Sequence, residues 1–209
     1  MGQEDRALLE FAATSPVFVT ARRDFPSAPG GGADPLVIMD GWAFRSELLS
    51  DGRRQITDFL LPGEVIVPNS DIANAALNVT AVTSVTYLRL PADRLAECHG
   101  LRAALRASHL LEERLLRRQI VRLGRFDASE RVVDWLLEIY DRLDAAGLCS
   151  GDSMPLPVTQ EVMADTLGLT GVHINRTLAN LRREGLLNIR GGRITFLDRE
   201  RCRSMVGAR

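Results

Sequence analysis

PVTQEVMADTLGLTGVHINRTLANLRREGLLNIRGGRITF, residues 157–196, is the stretch whose reading decides the fold. Thr159, just after Pro157, stands where its hydroxyl can cap the free amides of a first helix. Val162, Met163 and Leu167 recur on one face of that helix. Gly168 then permits the positive φ of a tight inter-helix turn, Leu169 is the expected buried plug, and Thr170 caps a second helix ending near Glu184-Gly185. On the second helix Ile174, Leu178 and Leu181 are spaced to face the first, which leaves His173, Asn175, Arg176, Asn180 and Arg183 outward. Leu187-Asn188-Ile189 and Ile194-Thr195-Phe196 alternate as strands around Gly191-Gly192, with Arg190 and Arg193 flanking the tip.

Helix, glycine turn, helix and two-strand wing describe a winged helix-turn-helix. Asn175 and Arg176 fall in the first two turns of its second helix, where side chains meet base edges. Arginine offers guanine a bidentate pair of donors, and asparagine does the same for adenine. The chain as a whole, with a formal net charge of -1, exerts no global pull on nucleic acid. The attraction is local: five arginines against one acid from Gly168 to Arg193. Such a charge run alone fits a solvated surface equally well, and the order of caps, turn and wing is what favours DNA.

The 209 residues give room for one or two domains with a substantial core. Cys98, Cys149 and Cys202 lie far apart and match no metal-ligand spacing, as expected of reduced intracellular thiols. Cys149, in a loop, is expected to be a spectator rather than a redox thiol. No apolar run approaches a membrane span and residues 1–10 are no secretion signal, so the expectation is a cytoplasmic protein with no membrane partner. No nucleophile elbow, Walker loop, HExxH or paired-acid motif is present, which argues against an enzyme.

Upstream, residues 4–13 suit a short helix and residues 27–35 a loop. From Leu36 to Leu88 short strands alternate with turn signals at Asp40-Gly41, Asp51-Gly52, Pro62-Gly63 and Asn69-Ser70-Asp71, implying an antiparallel sandwich or barrel. Between Ala92 or Leu101 and Leu123 the residues favour one long helix. Leu101, Leu105, Leu116 and Leu123 share one side and Leu110 and Val121 the other, so burial on both sides is expected. Ser108, Glu112 and Gln119 interrupt the first stripe, which rules against a strict zipper seam. Asp127 and Glu130 form a capping box for the next helix, whose core face is Val132, Val133, Leu136, Leu137, Ile139, Tyr140 and Leu143. Residues 145–157 read as a loop.

Two segments carry a family resemblance. TGVHINRTLANLRREGL, residues 170–186, closely resembles the recognition helix of the Crp/Fnr bacterial transcription regulators, and DGRRQITDFLLPGE, residues 51–64, is similar to the matching part of their β-roll. The resemblance covers nearly the whole chain from Leu36. It implies an α+β protein: a jelly-roll-like β-roll over residues 1–97, a dimerisation helix over 98–125 and a winged helix-turn-helix over 126–209. It further implies a homodimer on palindromic double-stranded DNA, and RNA polymerase as a partner if the protein activates. Residue by residue it assigns Asn175 and Arg176 to bases, Thr159, Gln160, Thr170 and His173 to phosphate or backbone support, Arg190 and Arg193 to the wing, and Leu101, Leu105, Leu116 and Leu123 to the dimer interface.

The departures matter as well. Gly171 and Val172 stand where many relatives carry Arg or Ser and then Glu, so the usual half-site does not transfer, and Val172 is assigned instead to a thymine methyl. Cyclic-nucleotide binders of the family hold the cyclic phosphate with an arginine in an Arg-[Ser/Thr]-Ala segment; here residues 68–77, PNSDIANAAL, place alanine there. A buried phosphate without a cation is costly, so neither cyclic AMP nor cyclic GMP is expected to bind. Glu64, in the Pro-Gly turn, is read as structural. The oxygen sensors' N-terminal cysteine cluster is missing, and His99 and His109 are better read as ordinary histidines than as haem ligands, so no cofactor is expected. The alternative function is a small-molecule or redox sensor whose β-roll ligand gates otherwise weak DNA binding; binding of the apo-protein to its promoter discriminates the two.

Overall fold

The computed structural model describes residues 2–25, 34–67 and 78–207. The expected loop at 27–35 lies largely outside them, and the degenerate phosphate segment at 68–77 entirely so. The chain divides into two compact units, Met1–Glu47 with Thr57–Leu116 and Leu48–Ile56 with Arg117–Arg209. The division falls inside the long helix rather than at its ends.

In the N-terminal half, α1 (Gln3–Ala13) precedes seven strands: β1 (Val17–Val19), β2 (Leu36–Asp40), β3 (Ala43–Leu48), β4 (Arg54–Leu60), β5 (Val65–Ile66), β6 (Val79–Ala81) and β7 (Val85–Arg89). They form an antiparallel sheet of order β1-β7-β2-β5 and a second of order β4-β3-β6. Alternation along the strands buries Leu36, Ile38, Ile66, Val79, Ala81, Val85 and Tyr87 together, and the Phe25 ring stacks on Tyr87 at 5.2 Å between centroids. The Asp40-Gly41 turn needs its glycine: φ is +86°, and a Cβ there would lie 2.1 Å from the Ser84 carbonyl oxygen. At the Pro62-Gly63 turn the Glu64 carboxylate accepts a bond from the Leu61 amide at 2.9 Å, the structural part expected of it.

A 3-10 turn (Ala92–Glu97) leads into α2 (His99–Arg125). Asp5, buried on α1, accepts bonds from the Leu101 amide at 3.0 Å and the Gly2 amide at 2.6 Å, which hold its carboxyl below the usual range. The first turn of α2 is therefore closed by a side chain from another helix. Leu101 and Leu105 are half-buried against Leu8, Ala12, Leu88, Leu90, Leu95 and Cys98 of their own unit. On the rest of α2, in the single chain, Leu110, Leu116, Ile120 and Val121 stand exposed.

The second unit is built round α3 (Ala128–Ala145). The expected capping box is present, Asp127 accepting from the Ser129 and Glu130 amides and Glu130 from the Asp127 amide. Every residue from Val132 to Tyr140 is buried, including Trp135 and the charged Asp134 and Glu138, which the sequence reading did not place inside. Around α3 are α4 (Gln160–Leu167), α5 (Gly171–Arg183), α6 (Arg199–Met205) and a sheet of order β8-β10-β9, from β8 (Ser153–Pro155), β9 (Leu187–Arg190) and β10 (Arg193–Phe196). Strand β8 corrects the expectation of a loop over 145–157. Its Pro155 lies opposite Arg193 in an outer strand, where a missing N–H does not interrupt a central ladder.

Candidate nucleic-acid interface

The reading head begins with two caps. Thr159 Oγ1 accepts from the Val162 amide and Thr170 Oγ1 from the His173 amide, each at 3.2 Å, so both helices start where the sequence places them. Between them Gly168 takes φ +61°, ψ +39°, a left-handed cap available to glycine at little cost. Met163, Ala164 and Leu167 of α4 are buried, as are Ile174, Thr177, Leu178 and Leu181 of α5. Leu169, the expected plug, is only half-buried.

With that face turned inward, α5 presents Val172, His173, Asn175 and Arg176 to solvent, Val172 being 81% exposed. Asn175 Nδ2 donates to Gln160 Oε1 at 3.3 Å, so a residue assigned to the backbone also orients one assigned to a base. Arg183 donates to Asn180 Oδ1 at 2.5 Å. In the wing β9 and β10 pair Arg193 with Arg190 and Phe196 with Leu187, and Gly191 and Gly192 both take positive φ, as a two-residue hairpin turn requires. Arg190 and Arg193 thus stand opposite one another at the tip. Arg193 is also tied down, Nε donating to Ser153 Oγ at 3.3 Å and Nη2 to the Ser153 carbonyl at 3.4 Å.

The four leucines assigned to a dimer interface differ in their surroundings within the single chain. Leu116 is exposed, Leu101 and Leu105 turn into their own unit, and half-buried Leu123 lies beside Gly168. Two groups escaped sequence reading. Arg118 and Arg122 of α2 meet Asp134 and Glu138 of α3, the Arg122 guanidinium bonding Asp134 at 2.8 Å and Glu138 at 2.6 Å. Gln119, which interrupts the leucine stripe, is buried and donates to the Thr166 carbonyl at 2.6 Å. The interruption was the signal.

The thiols are protonated at neutral pH. Burial pushes Cys149 and Cys202 up to about 11 from an ordinary 9.0, and Cys98 is raised by the same cause. Every one of the 26 basic residues is arginine, so few other side chains titrate in that range. Because the folded state holds these protons more tightly, their stabilising contribution is complete below about pH 9 and is lost as pH climbs toward about 11. Iodoacetamide at pH 8 is expected to alkylate Cys149 and Cys202 more slowly in the folded protein than in urea, followed by mass spectrometry; equal rates would show the thiols to be unperturbed. Among the described residues no group of three His, Cys, Asp or Glu could hold a metal ion, and no helix is long and apolar enough to cross a membrane.

A capped helix pair with exposed Asn and Arg, followed by an arginine-tipped wing, defines a DNA-binding transcription regulator. Comparison with known proteins places it further. Residues 130–205 match the Crp-like helix-turn-helix domain. The nitrogen fixation regulation protein FixK of Bradyrhizobium diazoefficiens is 34% identical over 174 residues, 82% of this chain and 73% of the relative. The transcriptional activatory protein AadR of Rhodopseudomonas palustris is 32% identical over 82% of this chain and 72% of its own length. The structure of FixK2 from Bradyrhizobium japonicum superposes with a TM-score of 0.77 at 26% identity, covering 93% of this chain and 98% of that one. The chain belongs to the Crp/Fnr family of transcription regulators.

Proposed function

We propose that the protein is a homodimer that reads a palindromic operator in the cytoplasm without a cyclic-nucleotide effector and without catalytic activity. The observation that carries the reading is the exposed Asn175–Arg176 pair in the first two turns of α5, with the Asn175 amide already oriented by Gln160. Asn175 and Arg176 contact base edges and Val172 a thymine methyl. Thr159, Gln160, Thr170 and His173 support the phosphates, and Arg190 and Arg193 bring the wing to the backbone. Exposed Leu110, Leu116, Ile120 and Val121 supply the dimer face along α2, a wider band than the Leu101, Leu105, Leu116 and Leu123 stripe. Two such reading heads need half-sites about 34 Å apart. As an activator the protein would also contact RNA polymerase. The alanine-for-arginine exchange in residues 68–77 supports independence from cyclic nucleotides.

Selection of bound DNA from a random pool with the purified apo-protein tests these points together. The expected product is a palindrome with half-sites about one turn apart. Sedimentation at micromolar concentration should give the mass of two 23.0 kDa chains. Recovery of no consensus without an added small molecule would favour the effector-gated alternative.

A further inference from the structure

We propose that Gln119 and Arg131 are positioning residues for DNA reading: they fix the turn of the helix-turn-helix to the last turns of α2, so that the end of α2 and the reading head move as one piece. The proposal rests on α5 being the element that reads bases.

The last carbonyls of a helix have no partner within it and must find one elsewhere. On α4 two of them are met by side chains from outside the motif. The Thr166 carbonyl accepts from Gln119 Nε2 at 2.6 Å, and the Leu167 carbonyl from Arg131 Nη1 at 3.1 Å. Both contacts belong to the second unit, and their acceptors immediately precede Gly168, the residue at which the chain turns from α4 to α5. A cation at this end also suits the helix dipole.

What makes these contacts more than caps is where the same side chains are held at their other atoms. Arg131 Nη2 donates to the Leu123 carbonyl at 2.9 Å, and its Nε to the Phe126 carbonyl at 2.9 Å. One planar fork therefore bridges the end of α2 to the end of α4, and its rigidity lets the three acceptors be set at fixed separations. Gln119 sits on α2 itself, and its Oε1 accepts from Arg122, which leaves Nε2 as the atom that must face Thr166. Gln55 Nε2 adds a longer bond of 3.1 Å to the same Thr166 carbonyl, so loss of Gln119 weakens the clamp without emptying it. Packing completes the joint: a Cβ on Gly168 would lie 3.5 Å from Leu123 Cδ2 and 3.7 Å from Arg131 Nη1.

The direction in which α5 leaves the turn decides where Val172, Asn175 and Arg176 meet a groove. Neither Gln119 nor Arg131 is on α5 or the wing; their bonds to the Thr166 and Leu167 carbonyls are what connect them to the reading head. Phosphate contact and positioning separate in the salt dependence of binding. Losing a phosphate contact flattens the dependence of log K on log salt by about one and weakens all sequences alike. Losing a positioning group weakens the operator alone and leaves the salt slope in place.

The experiment measures, by fluorescence anisotropy over a range of salt, affinity for the selected operator and for a scrambled duplex. Full-length wild type is compared with Gln119→Ala, Arg131→Ala, Arg131→Lys and, as a phosphate-contact control, Arg190→Ala. Arg131→Lys keeps the charge but offers its donors from one point rather than from a planar fork, and it stands in if Arg131→Ala fails to fold by circular dichroism. Gln119→Ala and the Arg131 variants should lose about 2- to 30-fold at the operator and nothing on the scrambled duplex, with an unchanged salt slope. Operator affinity equal to wild type, equal losses on both duplexes, or a slope flattened as in Arg190→Ala would each overturn the proposal. Failure of the base-reading assignment is distinguishable, because then Arg176→Ala would keep the wild-type base preference.

Discussion

Replacing Arg122 with alanine is expected to lower the unfolding free energy by about 3 kcal/mol, near the low end of the range of about 3 to 5 for breaking a buried ion pair. Arg122 is 2% exposed and its guanidinium bonds Asp134, Glu138 and the Gln119 amide. Truncation leaves two buried carboxylates without their central cation. The loss is moderated because Arg118 still holds Asp134 at 2.6 Å and Arg142 lies 3.4 Å from Glu138. Urea denaturation measures it, as a fall in midpoint with the slope retained. A change under about 1 kcal/mol would show that water or neighbouring arginines replace the group fully. Replacing Arg122, Asp134 and Glu138 together with apolar residues of similar volume should cost much less than the single truncation, since no buried charge is then left alone.

Why this cluster was invisible in the sequence follows from its geometry. Arg118 and Arg122 are one turn apart on α2, as are Asp134 and Glu138 on α3, and charges at such spacing ordinarily line a wet surface. The pairing runs between helices, and nothing local announces it. Gln119 is the same case in milder form: the sequence shows only a polar residue in an apolar stripe, and its acceptor, the Thr166 carbonyl, is far along the chain. Strand β8 was missed for another reason. It has three residues, and Pro155 with nearby Gly151 and Pro157 signals a loop, while its place is set by pairing with β10. Leu101 and Leu105 share a stripe with Leu116, but tertiary contact with Leu8, Ala12, Leu88 and Leu90 separates their surroundings. What could be read was local. Thr159, Gly168 and Thr170 each impose a backbone conformation on their own neighbours, and the helix pair follows from them.

Replacing Arg176 with alanine is expected to cost about 1 to 3 kcal/mol for each half-site, or about 5- to 150-fold in affinity for each half-site. Among the described residues Arg176 makes no hydrogen bond or ion pair, whereas Arg183 bonds Asn180 and Arg193 bonds Ser153. Arg176, exposed beside Asn175 in the first turns of α5, therefore has no intramolecular bond to give up before it meets a base. A guanidinium presents two parallel donors to guanine, and an ammonium presents a point charge. Arg176→Lys should accordingly keep most of the general attraction to DNA while losing preference for one base pair in each half-site. Affinity for operators carrying every base at that pair, measured for wild type and both variants, checks this. Wild type should discriminate and both variants should be nearly flat, whereas Arg190→Ala should weaken all the operators by a similar factor. If Arg176→Ala kept the wild-type base preference, the base-reading assignment would fall, and Arg176 would be a phosphate ligand like the wing.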